Sequence, residues 1–476
     1  MKILFSLIAF SLVFYSPSLV AQTIQKNRVL VLTDIEADPD DKQSLVRLLL
    51  YSNQFDIEGI VATTSCWKKT SIAPESIKKI VLAYGKVQAN LNKHEPGFPE
   101  AADILSKVKE GIPTYGMEGV GEGKDSEGSD WIIKTLEKND SRPLWISVWG
   151  GANTLAQALY KIEKTKTKAE AKRLISQLRV YTISDQDDSG NWIRTKFPDL
   201  FFIVSPGDDY GTATWSAITN RIDSVSNETI SNSWLAKNIQ QGHGPLGAQY
   251  PDVAWGVEGD TPAFLSLIPN GLNNAEYPDW GGWGGRYELY TPDFASIKKG
   301  RSDVPRKPEA RAIWTNAIDS YTPFVYNAYG RAIKLDKKTF SNNKVTLWRW
   351  RDDFQNDFAA RMDWCIADYD KANHPPVPVL KPNTEITVKS GEVFSLDASD
   401  TFDPDGDSFS FLWFNYPEAG TYKKEIKISP ENYPGTSIIA PEVTKKETVH
   451  FILKVTDKGE PKLTRYKRVV VTVLPK

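Results

Sequence analysis

The chain has 476 residues, with 58 Lys and Arg against 60 Asp and Glu and a formal net charge of −2. Its length exceeds one ordinary domain and suggests two or three, and its apolar and charged fractions are those of a globular protein. The near-neutral balance argues against nucleic acid or an anionic membrane as a general partner, and two cysteines, Cys66 and Cys365, make no disulfide framework.

Residues 1–21 read as a secretory signal peptide: basic Lys2, an apolar run from Ile3 to Tyr15, and a small-residue exit ending at Ala21. No stretch has the length of a membrane span, so the mature protein is expected to be secreted or periplasmic. From Arg28 to about Tyr210 strand and helix patterns alternate. Strands are predicted at Arg28–Thr33, Ile57–Thr63, Leu144–Val148, Arg179–Ile183 and Leu200–Val204. Helices are predicted at Ser71–Ala89, Ala101–Val108, Asp130–Leu136, Thr154–Tyr160 and Ala169–Leu178. Such alternation means an α/β fold, a parallel sheet flanked by helices. The stretch from Gly211 to Arg301 is irregular, and helices are predicted to resume at Glu309–Tyr321 and Phe354–Lys371. The domains are expected to be 22–373 (α/β), a Pro-rich linker at 374–382, and 383–476, an all-β immunoglobulin-like sandwich. In the last of these, strands are predicted at Glu385–Lys389, Val393–Asp397, Phe409–Phe414, Lys424–Ile428, Thr448–Thr456 and Lys467–Val473, with Trp413 in the core.

The first strand runs into Asp34-Ile35-Glu36-Ala37-Asp38-Pro39-Asp40-Asp41, five acidic side chains within eight residues. Carboxylates at the carboxyl end of a parallel strand, before a helix, stand where α/β folds place their sites. Crowded like charges need a cation or a proton, and capping a helix does not require five of them. With oxygen ligands only, Ca²⁺ is the first expectation and Mg²⁺ the second.

Other strand ends add polar groups. Trp149-Gly150-Gly151-Ala152-Asn153 follows the third of the predicted strands, and Asn153 suits either a sugar hydroxyl or a helix cap. Ser184-Asp185-Gln186-Asp187-Asp188 follows the next, where Asp185 and Asp187 suit vicinal diols and Trp192 offers a stacking face. Asp260, in Glu258-Gly259-Asp260-Thr261-Pro262, is either a metal contact or a helix start. His243 is the one of four histidines in a site-like region. Trp280 and Trp283, in Asp279-Trp280-Gly281-Gly282-Trp283-Gly284-Gly285-Arg286, suit sugar rings or bases, and Arg286 suits hydroxyls or a carboxylate.

The spacing Asp34-x-x-x-x-x-Asp40-Asp41 resembles the D-x-D-x-G-x-D-D signature of nucleoside hydrolases, with Glu36 at the second Asp and Asp38 at the Gly. A likeness over nearly the whole chain is to secreted bacterial proteins described as cellulose-binding with a nucleoside-hydrolase-like domain. It is carried by TDIEADPDDKQSLVRLLLYSN, SVWGGANTLAQAL, YTISDQDDSGNW, EGDTPAFL and DWGGWGGR. The resemblance implies one Ca²⁺ held by Asp41, by Asp34 or Asp38, by the Trp149 carbonyl and by Asp260. It implies that Asp40 binds sugar hydroxyls and that Glu36 or Asp38 deprotonates water; the family often protonates the leaving base with a nearby His, for which His243, though it matches no motif, is the candidate.

Two functions follow as expectations. The first is a secreted, metal-dependent hydrolase of glycosidic or N-glycosidic bonds acting on a carbohydrate or nucleoside-like molecule. The alternative is a non-catalytic carbohydrate or cellulose-binding protein. A third, an envelope interaction protein using the sandwich, rests on generic resemblance alone.

Overall fold

The computed structural model describes residues 25–476 except 209, 212–213, 224, 298, 301, 327–331, 335–337 and 382–383. The signal-peptide expectation for residues 1–21 lies outside the described residues. No helix among them is long and apolar enough to cross a membrane.

An eight-stranded sheet forms the centre, built from β1 (Asn27–Thr33), β2 (Phe55–Ala62), β3 (Val108–Glu110), β4 (Leu144–Val148), β5 (Leu178–Ser184), β6 (Phe201–Ser205), β7 (Tyr287–Tyr290) and β8 (Ile313–Asn316). Its order is β3-β2-β1-β4-β5-β6-β8-β7, parallel throughout except for the β7–β8 pair. β1 shows why a continuous apolar run forms a central strand. Val29 and Val31 pack into the core on one face, while Leu30 and Leu32 pack into the core on the other. With both faces covered by helices, alternation disappears from the sequence. All four side chains are fully buried, each contributing roughly 1.5–3 kcal/mol of transfer free energy. The order of strands turns back between β1 and β4, which opens a crevice at their carboxyl ends.

The segment predicted as helical at Glu309–Tyr321 is instead β8 followed by β9 (Asp319–Tyr321). Ile313 and Thr315 are buried while Trp314 and Asn316 are half-buried, a period of two set by the sheet rather than by helix-forming residues nearby. Short hairpin strands follow: β10 (Phe324–Tyr326), β11 (Ala332–Lys334) and β12 (Phe340–Asn342). A buried helix at Arg351–Asp363 precedes the C-terminal part.

That part is all-β: β13 (Glu385–Lys389), β14 (Val393–Asp397), β15 (Phe409–Asn415), β16 (Gly435–Ile439), β17 (Glu447–Asp457) and β18 (Thr464–Leu474). One sheet runs β13-β18-β17-β15 and the facing one pairs β14 with β16. Lys424–Ile428, expected as a strand, forms none, and β16 takes its place opposite β14. Along β17, Val449, Phe451, Leu453 and Val455 fill the sandwich around Trp413. Ile452, on the other face, joins the core of the α/β part together with Tyr466 of β18. Period-two alternation thus gives one strand two cores. The segment expected as a linker begins docked against both parts. His374 stacks on Tyr369 at 3.9 Å and on Trp364 at 5.3 Å, and its backbone N–H donates to Asp405 at 2.6 Å.

Candidate functional site

The crevice beyond β1 and β4 deepens into a cavity of about 540 Å³. Among the described residues, six carboxylates line it, those of Asp34, Asp38, Asp40, Asp41, Asp208 and Asp260, and no Lys, Arg or His does.

The acidic loop leads from β1 into a helix, α1 (Asp40–Leu50), whose first turn carries Asp40 and Asp41. Anions are favoured at a helix N-terminus, which partly offsets their crowding. Thr33 Oγ1 donates to Asp41, and the Asp41 backbone N–H donates to Asp40 Oδ1 at 3.1 Å. Asp40 Oδ2 accepts from Trp215 Nε1 at 2.5 Å. The indole reaches it because residue 259 is glycine: a Cβ there would stand 1.8 Å from Trp215 Nε1. Gly150 makes similar room for Asp34, whose carboxylate lies 2.7 Å from where a Cβ would be.

Asp260 is brought in from the far side by a buried ion pair. Arg47, on α1, donates through Nη2 to Glu258 Oε1 at 2.9 Å, and Tyr250 and Thr261 hydroxyls donate to the same carboxylate at 2.9 Å each. Glu258 is held with φ at +50°, a conformation that a non-glycine residue keeps only when its surroundings impose it. Asp260 Oδ2 is buried and meets no donor among the described residues.

Burial pushes Asp34 up to about 6, with repulsion from Asp38 adding to it, and burial alone pushes Asp38 up to about 6. Asp41 and Asp260 are driven well above the usual range, first by burial and then by neighbouring carboxylates. For Asp34 the shift corresponds to roughly 3 kcal/mol against the ionised form. A cation in their midst reverses that preference.

Several sequence expectations separate here. Asp34, Asp38, Asp40, Asp41, Trp149 and Asp260 come together around the cavity, and the Trp149 carbonyl accepts from the Gln186 side chain. Glu36 turns outward. With φ at +79° its carboxylate is paired with Lys42 at 2.9 Å and hydrogen-bonded by Ser76, contacts that lower its pKa and leave it outside the cavity wall.

Asp185 is a structural partner, clamped by Arg194 at 2.8 and 3.0 Å beside Glu309. Asp187 is buried beneath Gly151, where it accepts from the backbone N–H of Asn153 at 3.2 Å and of Ser189 at 2.9 Å. Asn153 is itself consumed by Thr63, Thr64 and Thr114. Trp192 packs edge-on against Phe197.

His243 lies against Asp363 at 3.0 Å, outside the cavity wall. The Trp-Gly loop serves the contact between the two parts of the chain. Trp283 is fully buried against Phe354 and Tyr466, and Trp280 packs between Tyr277 and His450. Arg286 is neutralised by Asp319 at 2.6 Å and Glu288 at 2.9 Å. The Arg286 guanidinium is thereby spent, and Trp283 has no exposed face.

Sequence reasoning missed the aromatic wall: Trp67, Tyr210, Trp215 and Trp255. Trp67, just beyond β2, follows the same strand-end logic that found the acidic loop. Trp255 is 74 % exposed and Trp67 48 % exposed at the cavity. Gln186 was passed over for its acidic neighbours, although adjacent residues of an extended segment face opposite ways. Asp208 was also missed; its carboxylate accepts from Gly300 N–H at 2.5 Å and from Ser302.

Residues 28–287 match the family described as "Cellulose-binding Sde182, nucleoside hydrolase-like domain", and 393–473 match "Cellulose-binding protein Sde0182, C-terminal domain". A solved structure of a nucleoside hydrolase-related hypothetical protein from Saccharophagus degradans, associated with carbohydrate metabolism, is 35% identical. It covers 94% of this chain and 100% of its own, with a TM-score of 0.78. The PKD domain from the KIAA 1837 protein is 22% identical over 20% of this chain and 82% of its own, with a TM-score of 0.16. The type III effector XopQ, solved with adenosine diphosphate ribose, is 12% identical over 47% of this chain and 64% of its own, with a TM-score of 0.27; neither of these two bears on fold or function. Comparison with the curated proteins gave no match. From the match over 28–287 and the similarity along almost its whole length, the chain belongs to the Sde182 family of cellulose-binding proteins with a nucleoside hydrolase-like domain.

Proposed function

We propose that the acidic cavity is the active centre of a metal-dependent hydrolase of glycosidic or N-glycosidic bonds, acting on a carbohydrate or nucleoside-like substrate. The observation that carries this reading is the set of six carboxylates lining one cavity, with no cationic side chain beside them among the described residues. The donor set suits an oxygen-seeking divalent ion, Ca²⁺ first and Mg²⁺ second, and the unpartnered Asp260 Oδ2 is a ready ligand atom. Asp34, Asp41, Asp260 and the Trp149 carbonyl would hold it. Such an ion supplies the positive charge that eases deprotonation of water in the cavity.

Asp38 is the base. It lines the cavity, and burial raises its proton affinity toward the middle of the physiological range. Asp40, steadied by Trp215, accepts hydrogen bonds from sugar hydroxyls. The surrounding carboxylates favour the positive charge that builds on the sugar ring as the bond to the leaving group breaks. Export, as residues 1–21 lead one to expect, suits a substrate outside the cell.

The test is metal content and turnover on one preparation of purified protein, beside Asp41→Asn and Asp38→Asn. Support is stoichiometric Ca²⁺ with sugar or base released from a nucleoside and glycan panel, both lost in Asp41→Asn, and turnover alone lost in Asp38→Asn. A second reading, carbohydrate binding without catalysis, is favoured by the exposure of Trp67 and Trp255. Metal-free, inactive protein that sediments with cellulose would establish it instead.

A further inference from the structure

The acidic cavity has an aromatic wall as well as an acidic one. Trp67, Tyr210, Trp215 and Trp255 line it together with the carboxylates. Tyr210 stands edge-on to Trp215 with ring centres 5.4 Å apart, and Trp67 lies 6.2 Å from Tyr210. Two of the indoles are anchored by their polar ends: Trp67 Nε1 donates to the Tyr210 hydroxyl at 3.2 Å, and Trp215 Nε1 donates to Asp40 at 2.5 Å. What Trp67 and Trp215 offer a ligand is therefore ring surface and not an N–H group. Trp255 adds a ring that is largely exposed.

The charge around these rings has one sign. Among the described residues no Lys, Arg or His lines the cavity. Lys42 and Lys69, on segments that border it, are paired with Glu36 and Asp303. A divalent ion would offset two of the six formal negative charges, so an anionic excess stays with the metal in place. Asp208 adds to that excess from outside the acidic loop, held by the Gly300 N–H and by Ser302.

An anionic excess beside aromatic rings attracts a cation twice, through its charge and through the negative faces of the rings. The same excess repels a phosphate or carboxylate group. A flat cationic ring thus matches this cavity better than a neutral ring or an anionic sugar does. A positive leaving group also simplifies bond cleavage. When the base is a pyridinium-type ring, the electron pair of the broken C–N bond goes to the ring nitrogen and cancels its charge. The base departs neutral without taking a proton. The water oxygen bonds to the anomeric carbon, and the proton it gives up passes through Asp38 to solvent. No acid is then required of the walls.

We propose, on the hydrolase reading of this cavity, that its substrate is an N-glycoside with a positively charged aromatic base, held by Trp67 and Trp255 and selected by the excess of carboxylates. Nicotinamide riboside is the probe. Benzamide riboside, with carbon in place of the charged ring nitrogen, is its neutral isostere, and nicotinamide mononucleotide carries an added phosphate. Calorimetric titration of Asp38→Asn in Ca²⁺ compares the three without turnover. Nicotinamide riboside is expected to bind about tenfold more tightly than either of the others, a margin that about 1 M salt should reduce to about threefold. In the same background Asp208→Asn removes one charge while keeping a polar partner for Gly300 and Ser302, and Trp255→Ala removes an exposed ring. Each should also cut the margin to about threefold. Unmutated protein with Ca²⁺ is expected to release nicotinamide. The charge preference without any release supports this recognition and counts against the hydrolase reading. Hydrolysis of uridine with equal binding of the two isosteres does the reverse. No binding of nicotinamide riboside, equal binding of the mononucleotide, or a margin unchanged in both variants overturns the proposal.

Discussion

The acidic cavity and the junction between the α/β part and the sandwich both bury carboxylates, but among the described residues only those at the junction face cationic partners. Asp319 is held by Arg286 at 2.6 Å, Arg349 at 3.2 Å and the Tyr416 hydroxyl at 2.6 Å. Asp353 faces Lys454 at 2.7 and 2.8 Å and accepts from Tyr466. Asp357 accepts from Tyr51 at 2.6 Å and is paired with Arg465 at 2.5 Å and Arg361 at 3.3 Å. Burial would push Asp357 up, yet the guanidinium groups of Arg465 and Arg361 outweigh it and hold it below the ordinary range. In the cavity the balance runs the other way, since burial and repulsion act together on Asp41 and Asp260. Burial of an acid therefore marks nothing by itself. What separates framework from candidate site is whether the fold supplies the countercharge.

Breaking the junction tests one side of that contrast and carries the largest expected effect. Arg361, 1 % exposed, also pairs with Glu95 at 3.0 Å and donates to the Leu50 carbonyl at 3.0 Å. Arg361→Ala should cost about 3 kcal/mol, because it takes the countercharge from half-buried Glu95 and leaves buried Asp357 with Arg465 alone. Urea unfolding would show this as a large drop in midpoint, and a loss under about 1 kcal/mol would mean the pairs do not hold the junction.

The same junction should be acid-labile through His450. Burial first, then the charges of Arg468 and Lys423, depress it to about 3 from an ordinary 6.5. Its folded pKa lies below its unfolded one, so the unfolded chain binds the proton more readily. The neutral imidazole's contribution is complete above about pH 6.5 and is lost progressively as pH falls toward 3. The loss amounts to a few kcal/mol at most, and His450→Gln, which keeps an acceptor for Arg468, should flatten the profile between those limits. Melting temperatures recorded from pH 7 to pH 4 would decide it.

In the cavity the sign should invert. Without divalent ions, Asp41→Asn removes one of several repelling charges while Thr33 keeps its acceptor, and it should raise stability by about 1 kcal/mol. Added Ca²⁺ should raise the melting temperature of the wild type and leave the variant unmoved. Destabilisation by Asp41→Asn in chelator would show that these carboxylates are matched after all. The smallest change in stability belongs to the rim. Trp255→Ala should alter folding by less than about 0.5 kcal/mol, given its exposure, while weakening carbohydrate affinity about tenfold through lost stacking.

Local pattern made much of this legible. The five strands predicted from Arg28 to Val204 all lie within β1, β2, β4, β5 and β6 to within two residues at either end, because hydrophobic runs bounded by turns are read over a few neighbours. The acidic loop was legible for the same reason: its crowding is visible in eight consecutive residues. Glu36 against Asp38 was not. A left-handed backbone at Glu36 and a lysine six residues on sent one carboxylate outward, and both depend on how the loop meets α1 and Ser76.

The sequence by itself determined a parallel α/β sheet, an all-β C-terminal sandwich and an acid-rich loop at a strand end, since periodicity and composition are local properties. Only the tertiary structure decided which polar and aromatic groups meet. It turned Trp280, Trp283 and Arg286 into the seam against Tyr466, His450 and Asp319, and it gathered Trp67, Tyr210, Trp215 and Trp255 around the carboxylates. The physical reason is that a Gly-Trp loop or a lone Asp carries the same short-range signal wherever it goes. Its partner, 30 or more residues away as Asp319 is from Arg286, determines whether that group holds the fold together or faces a ligand.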